Sequence, residues 1–354
     1  MIGIEGYLLR RTGTAMWGTW LDKWDEQKAA EDDGNKLASD MELGADLAFP
    51  AAAAAPTVGS MLELVKAHCA DSLRFYSAPD HAYEFKLENG TLSFRSAIAT
   101  ETEANNIVTA RVYPGRNRRD AVILLPHWNA PAGAYAPFAQ NLVRFGLTAV
   151  ELTLPYHGPR NRPGAVISDY FLSPNIGRTI RSVRQAVIDT KGVVDWLCQN
   201  GYRNIGLIGA SLGSCVAGLA AAHDSRICTS ALLLTAGDFG EVVWTGRATR
   251  HIAQSLSRSV DLDEIKGLWS IISTGTFART FARADHKALI VSGTRDQVVK
   301  PYLTTRFISQ LQDAAATYEW RKLSCGHYSM AMFPFSVLTF VLTLRFLKRT
   351  LSAT

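Results

Sequence analysis

Cysteine is scarce in this sequence of 354 residues, and the few cysteines follow no regular pattern. Their number is odd, and no two of them have the C-x-x-C spacing that zinc sites and redox motifs use. Disulfide frameworks need paired cysteines and an oxidising compartment. We therefore expect no disulfide, no metal site and a reducing compartment, the cytoplasm. The cysteines are Cys69, Cys198, Cys215, Cys228 and Cys325.

Long apolar runs are missing as well. The beginning of the chain lacks the continuous apolar stretch of a secretory signal. Residues 330–344 are rich in apolar side chains, but Pro334 interrupts this segment and Arg345 ends it. A membrane-spanning helix needs about 20 predominantly apolar residues. We expect a buried C-terminal helix, no secretory signal and no stable membrane span.

The excess of charge is small, because 37 basic residues face 32 acidic ones and the net charge is +5. Such a balance does not predict a nucleic-acid partner. The sequence contains neither G-x-G-x-x-G nor G-x-x-x-x-G-K-[ST] around its glycine-rich turn, so dinucleotide and P-loop binding are not indicated. His223, His251 and His286 lack ligand spacing and are interpreted as surface or structural residues. We expect no organic cofactor and no metal.

The hydrophobic content of 47% is sufficient for a large folded core. Residues 1–78 are predicted to be a helical and linker extension, with an aromatic helix over residues 7–24, an acidic linker over 25–48 and a connector over 51–55. The helix aromatics have three alternative partners: the body of the protein, a second subunit in a homodimer, or a membrane surface.

The pattern from residue 83 onward predicts a sheet. Asn89-Gly90 is a hairpin-type turn between two alternating segments, which indicates antiparallel strands at one edge. From Ala121 onward, short apolar strands alternate with helices, an order typical of a mostly parallel sheet with helices on both faces. We assign residues 79–236 and 286–354 to this α/β core.

One stretch stands out within the core. Gly209-Ala210-Ser211-Leu212-Gly213 lies between an apolar strand and a helix of small residues, and it has the G-x-S-x-G pattern of a nucleophile elbow. Glycines on either side of the serine allow strand and helix to approach closely. The same pentapeptide is also compatible with a tight β–α turn that holds an ordinary serine.

A serine hydroxyl needs a base to take its proton and a third group to orient that base. Asp296 and His327 each follow a predicted strand, as Ser211 does, and the carboxyl ends of parallel strands share one edge of the sheet. The order Ser, Asp, His is the order of the α/β hydrolases. We predict a triad of Ser211, His327 and Asp296, with Asp238 and Glu241 as reserve candidates for the acid.

An oxyanion hole is the third requirement of this chemistry. The N–H of Leu212, directly after the serine, is one predicted donor. The second is expected in the loop after the strand at residues 121–125, with Asn129 as first choice and Trp128 as the next. His127 in the same loop is interpreted as a structural residue.

Together these motifs resemble the α/β-hydrolase superfamily over residues 80–350. Further stretches are similar to the alpha/beta hydrolase domain-containing protein eighteen group. They are residues 125–130, Pro155-Tyr156-His157, residues 173–179 and Val243-Trp244-Thr245-Gly246. The superfamily implies a serine hydrolase that cleaves a small-molecule carboxylic ester through an acyl-enzyme. A thioesterase or acyltransferase with the same triad and a non-catalytic binding protein are the alternatives. In one departure, Trp128 stands where the common His-Gly motif has glycine.

Two further segments have open interpretations. Residues 237–285 are too long for a simple crossover, so we expect either a helical cap over the serine or an ornament packed elsewhere. A basic region runs from a loop into a long helix and would either attract an acidic substrate group or form a solvated face. Its members are Arg160, Arg162, Arg178, Arg181 and Arg184.

Overall fold

The computed structural model describes residues 14–34, 36, 39–50, 57–78 and 83–351, and the side chains from residue 18 onward. The predicted helical residues 7–13 and the connector at 51–55 lie outside this part of the chain. The α-helices of the described residues are α1 (Thr14–Gly34), α2 (Ala45–Ala48), α3 (Val58–Ala70), α4 (Ser72–Phe75), α5 (Ala136–Arg144), α6 (Ile176–Gln199), α7 (Leu212–His223), α8 (Phe239–Thr245), α9 (Arg250–Leu256), α10 (Leu262–Leu268), α11 (Ala278–Phe281), α12 (Pro301–Asp313) and α13 (Phe335–Leu351).

The strands form a single twisted sheet in the described residues. They are β1 (Lys86–Glu88), β2 (Thr91–Arg95), β3 (Ile107–Tyr113), β4 (Asp120–Leu125), β5 (Thr148–Leu152), β6 (Asn204–Ala210), β7 (Ile227–Leu233), β8 (Lys287–Gly293) and β9 (Thr317–Leu323). Their spatial order is β1-β2-β3-β5-β4-β6-β7-β8-β9. Strands β4 to β9 are parallel to one another. Strands β1, β2 and β3 pair antiparallel, and β3 joins the parallel part through an antiparallel pairing with β5. The predicted mostly parallel sheet with an antiparallel edge is confirmed.

The predicted hairpin turn joins β1 to β2. Leu87 pairs with Leu92 and Glu88 pairs with Thr91, which leaves Asn89 and Gly90 as the two turn residues. Both have positive φ, 50° and 74°, as a type I′ turn requires. Asparagine and glycine tolerate this backbone conformation better than other residues, so the dipeptide sets the register of the hairpin.

Helices cover both faces of the sheet because successive strand residues point to opposite sides. In β4, Ile123 and Leu125 pack in the larger core, which includes α6 and α7, whereas Val122 and Leu124 pack in the core under α5 and α13. The C-terminal helix α13 is only half buried. Leu347 is buried, whereas Val337 is 51% exposed, so the expected burial applies to one face of the helix.

Helix α1 continues through residues 25–34, where the sequence indicated a linker. Leu21, Asp25 and Ala29 recur on one buried face, as the helical repeat dictates. Ala29 packs with Ala248, Val298 and the partly buried Tyr328. Because this contact is with distant parts of the chain, the acidic local sequence did not reveal it.

The predicted basic region is neither a free charged patch nor a solvated face. Arg160 is fully buried and pairs with buried Asp189 at 2.7 Å. Arg181 pairs with Glu101 at 2.6 Å, and the guanidinium of Arg162 lies 3.6 Å from the centroid of the Tyr170 ring. These side chains are used in packing the loop that follows β5 onto the body of the protein.

None of the described helices has the length and apolar composition to cross a membrane. In the same part of the chain, no cluster of three or more His, Cys, Asp or Glu side chains is arranged to hold a metal ion.

Candidate active site

Ser211 lies at a sharp turn between β6 and α7. Its φ of 51° and ψ of −118° are rare for a residue with a Cβ atom. A Cβ added to Gly209 would lie 2.2 Å from the carbonyl oxygen of Gly213, and one added to Gly213 would lie 2.0 Å from the carbonyl oxygen of Leu125. Both glycines are therefore required for strand, turn and helix to approach. This geometry favours the nucleophile elbow over an ordinary turn.

The structure brings the three predicted triad side chains together. Ser211 Oγ lies 3.0 Å from His327 Nε2, and His327 Nδ1 lies 2.8 Å from Asp296 Oδ2. Asp296 is 1% exposed, and its other oxygen accepts hydrogen bonds of 2.8 Å from the N–H groups of Val298 and Val299. Asp296 is thus fixed on both sides, and it holds the imidazole ring toward the serine.

Three different strands position these residues. Ser211 follows β6, Asp296 follows β8 and His327 follows β9, so all three lie at the carboxyl edge of the sheet, where open α/β sheets bind ligands. The sequence indicated this arrangement, since each residue lies shortly after a predicted strand.

The charges around His327 stabilise its cationic form. Burial lowers the pKa of the His327 imidazole, but the negative charges of Asp296, Asp25 and Asp32 outweigh it and raise the pKa above its usual value. Since Asp296 accepts from Nδ1–H, the neutral ring presents the lone pair of Nε2 to the Ser211 hydroxyl. The ring is therefore oriented to accept the serine proton and to become a stabilised cation.

The structure corrects the prediction that the Asn129 N–H faces the serine. That N–H donates to His157 Nε2 at 3.1 Å, and the Asn129 side chain accepts from the N–H of Ser168 at 2.8 Å. The N–H groups of Leu212 and Trp128 have no hydrogen-bond partner among the described residues, and both residues line the cavity at Ser211. They are the candidate oxyanion donors.

His157 is a residue whose role the sequence did not reveal. Its Nδ1–H donates to the carbonyl oxygen of Pro155 at 2.8 Å, which leaves Nε2 as the acceptor for Asn129. Burial lowers the pKa of His157 to about 4, so the ring is neutral near pH 7 and the hydrogen bond persists. His157 thereby fixes the loop that carries Trp128. The Pro155-Tyr156-His157 motif was visible, but nothing in its spacing indicated this contact.

No model of a protein family and no curated protein matches the sequence. The backbone, in contrast, is similar to solved structures of hydrolases. An acylaminoacyl peptidase of Pyrococcus horikoshii has a TM-score of 0.59 at 12% identity; the match covers 78% of this chain and 43% of the peptidase. An acetyl xylan esterase of Thermoanaerobacterium sp. has a TM-score of 0.58 at 16% identity, with 90% and 98% of the two chains covered. The chain has the α/β-hydrolase fold.

An esterase of Pyrococcus furiosus is a further example, with a TM-score of 0.52 at 17% identity over 76% of this chain and 92% of that one. At these identities the likeness concerns the α/β-hydrolase fold. The chain spans less than half the length of the acylaminoacyl peptidase.

In this α/β-hydrolase fold, a cavity of about 650 Å³ opens at Ser211. Its lining is mainly apolar and comes from two directions. Residues of the 237–285 segment line one part, and residues of α5 and α13 line the other. Examples are Phe239, Val242 and Val243 on the first side and Phe138, Val337 and Phe340 on the second.

Helix α1 also reaches this cavity. Asp32 is one of its lining residues, and it pairs with Lys36 at 3.0 Å. The Lys36 ammonium lies 3.6 Å from the centroid of the Trp128 ring, a cation–π distance, and the Trp128 Nε1–H donates to the carbonyl oxygen of Ser168 at 3.1 Å. The Trp128 indole is thus held by Lys36, which follows α1 and pairs with Asp32 of that helix, and by the Ser168 carbonyl.

The reserve acids are not part of the triad, although Asp238 lines the cavity. Asp238 caps the N-terminus of α8 by accepting from the N–H of Glu241 at 2.9 Å, and Glu241 binds the Tyr302 hydroxyl at 3.0 Å and the guanidinium of Arg306. Neither is hydrogen-bonded to His327.

Cys215 also lines the cavity. Burial raises the pKa of its thiol to about 12, so it is not a thiolate nucleophile near pH 7.

Three other histidines have structural contacts. His251 Nδ1 lies 2.6 Å from Asp33, and its ring stacks on Trp128 at 6.3 Å between centroids. His223 and His286 are buried. These contacts agree with the interpretation of the three residues as structural ones.

Proposed function

We propose that this protein is a serine hydrolase that cleaves carboxylic esters through an acyl-enzyme. The observation that carries the proposal is the hydrogen-bonded chain from Ser211 through His327 to Asp296. The 3.0 Å between Ser211 Oγ and His327 Nε2 is a distance at which a base takes a proton from a nucleophile. The 2.8 Å between His327 Nδ1 and Asp296 Oδ2 is a hydrogen bond that orients the base. Fold likeness to esterases supports the same class, and the proposed kinship with the alpha/beta hydrolase domain-containing protein eighteen group is part of the proposal.

In the first half of the reaction, Ser211 Oγ attacks the ester carbonyl carbon while His327 Nε2 takes the hydroxyl proton. The negative charge on the carbonyl oxygen is stabilised by the N–H groups of Leu212 and Trp128. His327 then gives its proton to the alcohol oxygen as the carbon–oxygen bond breaks. Asp296 keeps the ring oriented and stabilises its charged form throughout.

In the second half, water attacks the acyl-enzyme and His327 takes a proton from it. The second tetrahedral intermediate collapses, the proton returns to Ser211 Oγ, and the carboxylic acid leaves. Replacement of water by an alcohol or a thiol would give acyl transfer, so product analysis with added acceptors separates hydrolysis from transferase activity. A thioester series tests the thioesterase alternative in the same assay.

The substrate class follows from the cavity. A volume of about 650 Å³ with mainly apolar lining supports an apolar acyl or alcohol group. We propose that residues 237–285 act as a cap over the core of residues 79–236 and 286–354, aided by α1 from the extension at 1–78. The homodimer and the cytoplasmic location remain predictions from the sequence.

The test is hydrolysis of p-nitrophenyl esters of increasing acyl length by wild type, Ser211→Ala and Ser309→Ala. Ser309 is an exposed serine of α12 and serves as the control. Ser211→Ala should lower kcat by about 10³-fold or more, and only wild type and Ser309→Ala should bind a fluorophosphonate. For wild type, kcat/KM should rise by up to about fourfold per added methylene, from about 0.8 kcal/mol per buried CH₂. An unchanged rate in Ser211→Ala would refute the proposal.

A further inference from the structure

Helix α1 lies outside the α/β core, yet one of its side chains enters the loop that carries His327. Asp25 is 2% exposed and belongs to the buried face formed with Leu21 and Ala29. One carboxylate oxygen accepts from the N–H of Tyr328 at 2.7 Å and from the N–H of Ser329 at 3.1 Å. The other oxygen accepts from the Ser329 hydroxyl at 2.5 Å. A single carboxylate thus binds the two residues that directly follow His327.

The residue before His327 is tied to the same group. Ser329 Oγ accepts from the N–H of Gly326 at 2.9 Å, so a hydrogen-bonded chain runs from Gly326 through Ser329 to Asp25. A Cβ added to Gly326 would lie 2.4 Å from the Asp25 carboxyl group, which shows how closely the loop surrounds it. His327 is therefore held from both of its chain neighbours.

The charge of Asp25 is unusual for this position. A buried carboxylate is costly unless hydrogen bonds or a cation compensate it, and among the described residues Asp25 forms no ion pair with a Lys, Arg or His side chain. Its compensation comes from the N–H and O–H groups of the His327 loop. Donors face both oxygens of Asp25, and a carboxylate accepts at both whereas an amide accepts at only one. The loop thus stabilises a negative charge close to His327.

We propose that Asp25 is a positioning residue that places and electrostatically supports the catalytic base His327. This inference rests on the proposed function. It makes α1 part of the catalytic apparatus, because the base is then held by Asp296 from the core and by Asp25 from the N-terminal extension.

The charged and titratable groups that face His327 come from three directions. Asp296 contacts its ring directly, Asp25 and Asp32 approach from α1, and His127 faces it from the loop after β4. Tyr328 follows it in its own loop, and the Tyr328 hydroxyl donates to Asp32 at 2.9 Å. Asp25 is among the negative groups that raise the pKa of His327. Removal of its charge should therefore lower that pKa.

The experiment compares wild type, Asp25→Asn and Glu26→Gln in ester hydrolysis over a pH series. Glu26 lies next to Asp25 on α1, is 46% exposed and pairs with Arg247 at 2.5 Å, so its variant controls for a lost contact between α1 and the body. In Asp25→Asn, kcat should fall by about 10- to 100-fold because the base is misplaced, with little change in KM. The acid limb of kcat should move to lower pH. Glu26→Gln should keep the wild-type kcat and the wild-type pH of the acid limb.

Ser329→Ala tests the placement of His327 separately from the negative charge of Asp25. It is also the second variant if Asp25→Asn folds poorly. It removes the hydroxyl between Gly326 and Asp25 but leaves the carboxylate, so kcat should fall while the acid limb stays at its wild-type pH. Fluorophosphonate labelling of wild type at Ser211 is measured first, and its absence would refute the proposed function. If labelling occurs but Asp25→Asn keeps the wild-type kcat and acid limb, or if Ser329→Ala keeps the wild-type kcat, the role of Asp25 is refuted.

Discussion

At the scale of single residues, the candidate site depends on groups that are costly to place. Ser211 has a strained backbone, Asp296 is a buried carboxylate, and His157 is a buried imidazole. Each is compensated by specific hydrogen bonds, since an unpaired buried polar group costs about 1–3 kcal/mol. The site is therefore a set of groups whose hydrogen bonds depend on one another, and loss of one group should disturb the position of the others.

Replacement of His157 by Ala tests this dependence. The Asn129 N–H loses its acceptor, so the loop with Trp128 should shift and the oxyanion should be bound less well. We expect the free energy of unfolding to fall by about 1–3 kcal/mol and kcat to fall by about 10²-fold, measured by urea unfolding and ester hydrolysis.

The matched control is His223→Ala. His223 is also buried, but it is a structural residue of α7 whose Nδ1–H donates only to the Leu219 carbonyl oxygen, at 2.8 Å. Its variant should lose comparable stability while the folded fraction keeps its kcat. Equal kcat values for both variants would contradict the role given to His157.

At the scale of elements, the strand–turn–helix unit of β6 and α7 depends on two glycines of its own sequence and on one contact outside it. Gly209 and Gly213 allow a contact that no other residue allows, and the apolar residues of β6 bury it in the sheet. The pentapeptide was ambiguous in isolation because a tight β–α turn also uses glycine. The contact of Gly213 with the Leu125 carbonyl, which decides the matter, involves a residue distant in sequence.

A comparison of two glycines tests this contact. Gly213 and Gly59 are both the second residue of their helices, α7 and α3. A Cβ at Gly213 would lie 2.0 Å from a backbone oxygen, whereas the nearest atom to a Cβ at Gly59 is 3.9 Å away. Gly213→Ala should lower the free energy of unfolding by about 3 kcal/mol or more, and Gly59→Ala should change it by at most about 1 kcal/mol. Urea unfolding measures both, and equal stability of the two variants would contradict the argument.

Helix α1 is the element that the sequence described least well. Its apolar residues are few, and the acidic residues from Asp22 to Asp33 suggested a linker. One signal was present, because Asp25 interrupts the apolar spacing of Leu21 and Ala29 on one helical face. A polar residue in such a stripe indicates a buried polar contact, but its partner cannot be known without the fold.

At the scale of the whole molecule, neutral buried histidines make stability depend on pH. Burial lowers the pKa of His157 and His223 to about 4 and that of His286 to about 3. In the unfolded chain these groups titrate near 6.5, so between these values the unfolded state binds more protons. The stabilisation is complete above about pH 6.5 and is lost as the pH falls toward about 4. His327 acts in the opposite direction, since its folded-state pKa is raised.

We therefore expect the free energy of unfolding to decrease from about pH 7 to about pH 5, on the order of 1 kcal/mol per pH unit for each of these three histidines. Urea unfolding at several pH values measures the slope. His286→Gln should reduce this slope by the contribution of one titrating group, on the order of 1 kcal/mol per pH unit. The variant removes a histidine that is buried away from the candidate site. A free energy that does not change over this range would refute the expectation.

The sequence by itself determined the fold class, the antiparallel edge and the triad of Ser211, His327 and Asp296 as a prediction, because each depends on local order: apolar strands, turn residues and what directly follows them. Only the tertiary structure assigned the N–H of Asn129 to His157, paired Arg160 with Asp189 and brought Asp25 into the His327 loop. These contacts join residues that local periodicity does not relate, and burial gives them their energetic weight. The physical chemistry of the nucleophile could thus be anticipated from the chain, whereas the support around it required the folded molecule.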